Sequence, residues 1–178
     1  MPFAATHILS AIIIADVLRD HFFRDKNKFP LHYVFLAGIA GILPDIDVVF
    51  YWFSSALFGT PMEEIHRVYT HSAVFPFIFL IAAFVLYKSD LDARVGRVMR
   101  WSGIFSMLAL GYSLHLLLDM TLMGSIAVFF PFSAWKAGLN IIPADTRFGA
   151  SLMEGMDAIL LIAWLFHEEM KHKISDYI

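Results

Sequence analysis

Seven side chains carry the chemistry of this 178-residue sequence: His7, Asp45, Asp47, His66, His71, His115 and Asp119. Each lies within or beside a long apolar run, where an ionisable group costs about 2.5–3.5 kcal/mol on insertion scales and marks a function with a nearby partner. His115 and Asp119 are four positions apart, which on a helix puts both on one face about 6 Å apart along the axis. Such a pair alone is explained as readily by a mutual hydrogen bond, but Leu114 and Leu116–Leu118 offer no other partner. Asp45 and Asp47 follow Pro44, and one of them could simply cap the next helical segment. Two carboxylates so close repel unless a cation or a proton lies between them. His66 and His71 fall in a polar connection, where either histidine alone would need no explanation. Together the seven groups exceed one tetrahedral site with an open position and suit two metal ions about 3.5–4 Å apart. Oxygen and nitrogen ligands without thiolate fit zinc, manganese or iron, zinc being the first expectation. Asp47, His66 and Arg67 are the candidate catalytic residues, Arg67 through its bidentate grip on an anionic substrate oxygen. Thr6, Thr70 and Ser72 are candidates for supporting contacts. Glu154 and Asp157 are extra ligands or, more simply, helix N-terminal charges.

The elements that must position these residues are apolar. Hydrophobic residues make up 59% of the chain and charged residues 16%, against about 45–50% and about 25% in soluble domains. The net charge of −3 provides no basic surface, so a nucleic-acid partner is not expected. The absence of cysteine excludes disulfides, thiolate metal sites and thiol nucleophiles, leaving His, Asp and Glu to hold any metal. The N-terminus lacks a basic n-region, so the first helix is expected to be retained. Apolar runs at 4–18, 31–43 with a continuation through 48–58, 73–87, 101–123 and 152–166 predict an all-α, polytopic membrane bundle. About five transmembrane or re-entrant helices are expected, forming a single domain over residues 1–178. Pro44 is expected to end a regular helix so that Asp45 and Asp47 turn towards one centre.

Arg19, Arg24, Lys26, Lys28, Lys88, Arg94, Arg97, Arg100, Lys171 and Lys173 fall on one side of this arrangement, and only Arg67, Lys136 and Arg147 on the other. By the positive-inside rule the N-terminus is then outside and the C-terminus cytoplasmic. All seven candidate ligands share the outer depth. His21, His32, His167 and His172 fall on the cytoplasmic side and are expected to be ordinary solvated or interfacial groups.

His7 after a threonine, Leu43-Pro44-Asp45-Ile46-Asp47, His66-Arg67 with Thr70-His71-Ser72, His115 with Asp119, and Pro131-Phe132 together resemble the membrane-bound metal-dependent hydrolase family. Its bacterial members are described as LexA-binding inner-membrane-associated hydrolases. The resemblance runs from residue 7 to about residue 132, with Val68 standing where a glycine commonly follows the His-Arg pair. It implies a metal site and hydrolase activity in the inner membrane. A weaker similarity, to the zinc-dependent phospholipase C and single-strand nuclease group, lacks that group's later histidines. The leading expectation is phosphoester hydrolysis of a lipid or lipid-linked substrate at the extracytoplasmic face. There the aromatic stretches 48–58 and 129–132 could hold acyl chains or headgroups. A metal or proton transporter and a non-catalytic membrane scaffold are the alternatives.

Overall fold

A computed structural model describes residues 3–23, 25, 28–62, 65–92, 100–142 and 146–174. Among them the regular structure is helical: α1 (Ala4–Phe22), α2 (Leu31–Ala40), α3 (Asp47–Phe58), α4 (Val74–Asp92), α5 (Trp101–Thr121) and α6 (Arg147–His172), with a 3₁₀ turn at Leu43–Ile46. The described residues contain no β-strand beyond an isolated bridge between Ile126 and Ala137. Arg24, Lys26, Arg94 and Arg97, counted in the orientation argument, lie outside the described residues.

Small side chains let the central helices approach closely. Ala11 and Ala15 of α1, Ala37 and Ala40 of α2 and Ala109 of α5 are buried. A Cβ on Gly111 would stand 2.1 Å from the carbonyl oxygen of Ala37, and one on Gly41 would stand 2.9 Å from that of His7. Small residues of this kind are what bring helix backbones together where lipid removes the usual hydrophobic drive. Tyr33, Val34, Phe29 and Met107 fill the space beyond them. Around this centre α4 packs along α5, and α6 along α1.

The outer surface is the reverse of a soluble protein's. Trp52, Phe53, Phe84, Ile159, Ile162 and Phe166 are each at least 63% exposed, which in water would be an association liability and in hydrocarbon is solvation. Among the described residues two helices, α5 and α6, are long and apolar enough to cross a membrane, and a third crossing is reached if α2 and the segment Leu43–Phe58, bent by 49°, form one broken span. At 1.5 Å per residue α5 is about 32 Å long, close to the roughly 30 Å hydrocarbon core. The other two expected spans are helical where expected, but α1 carries buried Thr6, His7 and Asp16 and the apolar part of α4, Val74–Lys88, is short.

The break between α2 and α3 begins before the proline. α2 ends at Ala40 with Gly41 as its cap, and Pro44 stands in the first turn of the 3₁₀ segment, where its missing N–H leaves no helical hydrogen bond unmade. α3 then begins at Asp47.

Candidate metal centre

The seven candidate ligands form one connected cluster, built by α1 (His7), the bent α2–α3 junction (Asp45, Asp47), the connection before α4 (His66, His71) and α5 (His115, Asp119). His7, Asp47, His71, His115 and Asp119 are at most 2% exposed. The 22% exposure of the Asp45 side chain opens the cluster to solvent on its side.

At its centre, four atoms face one another. His71 Nε2 lies 3.1 Å from His115 Nε2, 3.4 Å from Asp45 Oδ1 and 3.4 Å from Asp119 Oδ2. His115 Nε2 lies 3.6 Å from Asp45 Oδ1 and 3.8 Å from Asp119 Oδ2. A charge-assisted hydrogen bond would draw such N–O pairs to about 2.7–2.9 Å. A tetrahedral cation at about 2.0–2.1 Å from each ligand would hold them about 3.3–3.4 Å apart, a value that these five separations of 3.1–3.8 Å bracket.

The opposite ring nitrogens are already engaged, and this fixes the tautomers. His115 Nδ1 donates to the carbonyl oxygen of Gly41 at 2.7 Å. His71 Nδ1 donates to Thr70 Oγ1 at 3.1 Å, and the Thr70 hydroxyl donates in turn to Asp47 Oδ2 at 2.8 Å. Each Nε2 is thereby left facing the centre, where a cation that displaced the proton would find its lone pair, the usual way an oxygen acceptor orients a ligating histidine. Burial alone would lower the His71 pKa; hydrogen bonding to the carboxylates of Asp119, Asp45 and Asp47 outweighs it and pushes the imidazolium from the ordinary 6.5 up to about 10. The pocket therefore attracts positive charge at His71.

Among the described residues, His7 Nδ1 and His66 Nε2 are buried without a hydrogen-bond partner, and Asp45 Oδ1 and both oxygens of Asp119 are buried with ion-pair contacts to the histidines and Arg67 but no well-aligned hydrogen bond. Leaving such groups unsatisfied costs about 1–3 kcal/mol each, so the donor set fits a bound cation. His7 Nε2 reaches Asp119 Oδ1 at 3.5 Å and its ring stacks on His115 with centroids 3.9 Å apart. His7, Asp45 and His115 also offer ligand atoms within 4.8 Å of one another, as do Asp45, His66 and His71.

Asp47 does different work from Asp45. Its Oδ1 accepts from His66 Nδ1 at 2.9 Å, and its Oδ2 accepts from the backbone N–H of Arg67 at 3.1 Å and from Thr70. The carboxylate thus ties the 66–71 connection to the start of α3. Arg67, held at φ 64°, brings Nη2 to 2.9 Å from Asp119 Oδ2. His66 and Arg67 line a cleft of about 280 Å³ with Met62, Ser125 and Lys136. Ser72 donates to the carbonyl oxygen of Phe130 at 2.6 Å, fastening the long connection after α5 over this region. The Thr6 hydroxyl donates to Asp157, so Asp157 links α6 to α1 and Glu154 is exposed.

Four residues outside the seven also matter here, of which Gly41, with Gly38, was legible in the sequence as a small-residue packing face. Gly41 supplies the acceptor for His115, and Gly111 admits α2 close enough to present it. The Tyr112 hydroxyl donates to the Thr70 carbonyl. Gly124, at φ 101°, leaves room for Arg67, whose Nη1 would lie 1.7 Å from a Cβ there. At the other end of α1, His167 and His172 face Asp16 and Asp20, a departure from the ordinary solvated role expected of them.

Among known proteins, a family model described as YdjM inner membrane protein matches residues 1–173. No curated protein and no solved structure matches the chain. With a match over nearly its whole length, and with apolar helices of membrane-crossing length, this chain belongs to the YdjM inner membrane protein family.

Proposed function

We propose that the protein is a membrane-embedded, divalent-metal-dependent hydrolase acting on a phosphoester of a lipid or lipid-linked substrate. The observation that carries this reading is the four-atom set of His71 Nε2, His115 Nε2, Asp45 Oδ1 and Asp119 Oδ2 at ligand-to-ligand spacing. In this reading those residues hold a central ion, zinc first, with manganese or iron as alternatives. Asp119 Oδ1, His7 and Asp45 flank a second position. A cation bound there would supply Lewis-acid polarisation of a phosphoryl oxygen and acidify an attacking water.

The remaining chemistry belongs to the chain. Arg67 and Lys136 place two cations on one cleft, suited to anionic phosphate oxygens. His66 is oriented by the Asp47 carboxylate with Nε2 unpartnered. It can take a proton from water and return it to a leaving oxygen, while Asp47 stabilises the imidazolium. An apolar groove of about 250 Å³ lined by Ala73, Val74, Phe77, Val128, Phe129 and Phe132 suits an acyl or isoprenoid tail. The bundle has five spans in this reading, α1 and α4 crossing with help from their neighbours. The N-terminus is outside, the C-terminus is cytoplasmic, and the site lies at the extracytoplasmic face.

A transporter would need a polar path through the bundle. Between the site and Asp16 on α1, the described residues include buried Ala11, and Ala15 packed with Ala37, Val34 and Met107, an apolar barrier that favours hydrolysis. The test is elemental analysis of detergent-purified protein together with phosphate release from a panel of lipid phosphomonoesters and diesters. His115→Ala and Asp119→Asn are expected to lose the central ion and all turnover; unchanged metal content in both would overturn the reading.

A further inference from the structure

A second cluster of ligand-type side chains lies at the far end of α1, nine residues from His7, or about 14 Å of helix rise. Asp16 and Asp20 lie four residues apart on one face of α1 and meet His167, Glu168 and His172 of α6. His167 Nε2 is 3.6 Å from Asp16 Oδ2 and 3.3 Å from Asp20 Oδ2. His172 Nε2 is 3.2 Å from Asp20 Oδ2. Asp16, Glu168 and His172 likewise offer ligand atoms within 4.8 Å of one another.

Asp16 is fully buried, and among the described residues neither carboxylate oxygen makes a well-aligned hydrogen bond, although the Glu168 carboxyl lies close enough to share a proton with it. Its neighbour Arg19 holds Nη1 3.9 Å from Asp16 Oδ1 and 3.6 Å from Asp20 Oδ1, beyond hydrogen-bond reach, while its Nε donates to the carbonyl oxygen of Phe29. A buried carboxylate in this state costs several kcal/mol unless a cation meets it. The N–O spacings of 3.2–3.6 Å exceed those of charge-assisted hydrogen bonds, about 2.7–2.9 Å, and fall near the separation of ligands on one ion. The packing points the same way. The buried residues of α6, Gly149 and Met153, lie in its first two turns, so at its other end these polar groups join α6 to α1.

From this geometry we propose a second divalent-cation site, of the borderline transition-metal class that imidazole and carboxylate select, held by Asp16, Asp20, His167 and His172 with Glu168 beside it. Its ion clamps the C-terminal half of α6 to α1 and is independent of the centre around His71 and His115.

The test is titration of detergent-purified, metal-stripped protein with cobalt(II), followed by visible absorption and equilibrium dialysis. In the His115→Ala variant, which removes a central ligand, at least one tightly bound equivalent is expected to remain, with a rise in thermal midpoint on cobalt addition. Adding His167→Gln or His172→Gln, side chains 18% and 30% exposed and therefore tolerant of change, is expected to remove that equivalent and that rise. In the otherwise unaltered protein, His167→Gln is expected to remove one equivalent and leave any central ion in place. A His115→Ala protein that binds no cobalt, or one whose equivalent survives both histidine changes, overturns the proposal and shows that protons alone neutralise the cluster. Failure of the central reading would show separately, as an unaltered protein that binds only the one equivalent removed by His167→Gln.

Discussion

The Nε2 atoms of His71 and His115 face each other across 3.1 Å, while the Nδ1 atoms of both rings are turned to oxygen acceptors. Two neutral imidazoles so arranged would set lone pair against lone pair. A proton or a cation must lie between them, and the carboxylates of Asp45 and Asp119 supply the charge that holds it.

The competition between proton and metal gives a pH dependence. The His71 pKa is raised to about 10 in the folded, metal-free protein from an ordinary 6.5. Stability from the protonated ring is therefore fully present below about pH 6.5 and is lost as pH rises through about 10. Metal must displace that proton, so apparent affinity is expected to rise about tenfold per pH unit between pH 7 and 9. Dialysis against a metal buffer at three pH values checks this; a flat profile would show that His71 is neutral before metal arrives.

Asp47 serves the connection rather than the centre, which separates its loss from that of Asp45. Asp47→Asn weakens the orientation of His66 and Thr70 while leaving His71 Nε2 and His115 Nε2 in place. Turnover is expected to fall by about 10²–10⁴-fold, the contribution of a positioned acid–base pair, with bound metal retained. Elemental analysis beside an activity assay distinguishes the two effects.

Gly124 is expected to be as sensitive as a ligand. Alanine there places a Cβ 1.7 Å from Arg67 Nη1 at φ 101°, so the guanidinium must leave Asp119. A stability loss of about 1–2 kcal/mol from the backbone alone, together with a raised KM for an anionic substrate and unchanged metal content, would be read by thermal melting and steady-state kinetics.

Gly111→Ala tests the helix packing that feeds the site. Its Cβ would meet the Ala37 carbonyl oxygen at 2.1 Å, forcing α2 from α5 and carrying Gly41 away from His115. A loss of about 1–3 kcal/mol and weakened metal retention are expected together. Destabilisation with full metal retention would separate packing from the site.

The helical class, the approximate places of the helices and the seven polar residues were legible in the sequence because charge inside apolar runs is costly and apolar run length tracks helix length. His115 and Asp119 share a face through helical periodicity alone. Other features depended on the tertiary arrangement. Asp45 and Asp47, two positions apart, reach different nitrogens of His71, because the chain leaves α2 at Gly41 and bends by 49°. His167 and His172 read as surface histidines until α6 is laid against α1, since contacts 147–152 residues apart leave no trace in local pattern. Composition and periodicity are local properties and determined which residues needed partners. Which atom meets which was decided by backbone approach at Gly41, Gly111 and Gly124, where the absence of a side chain is the relevant property.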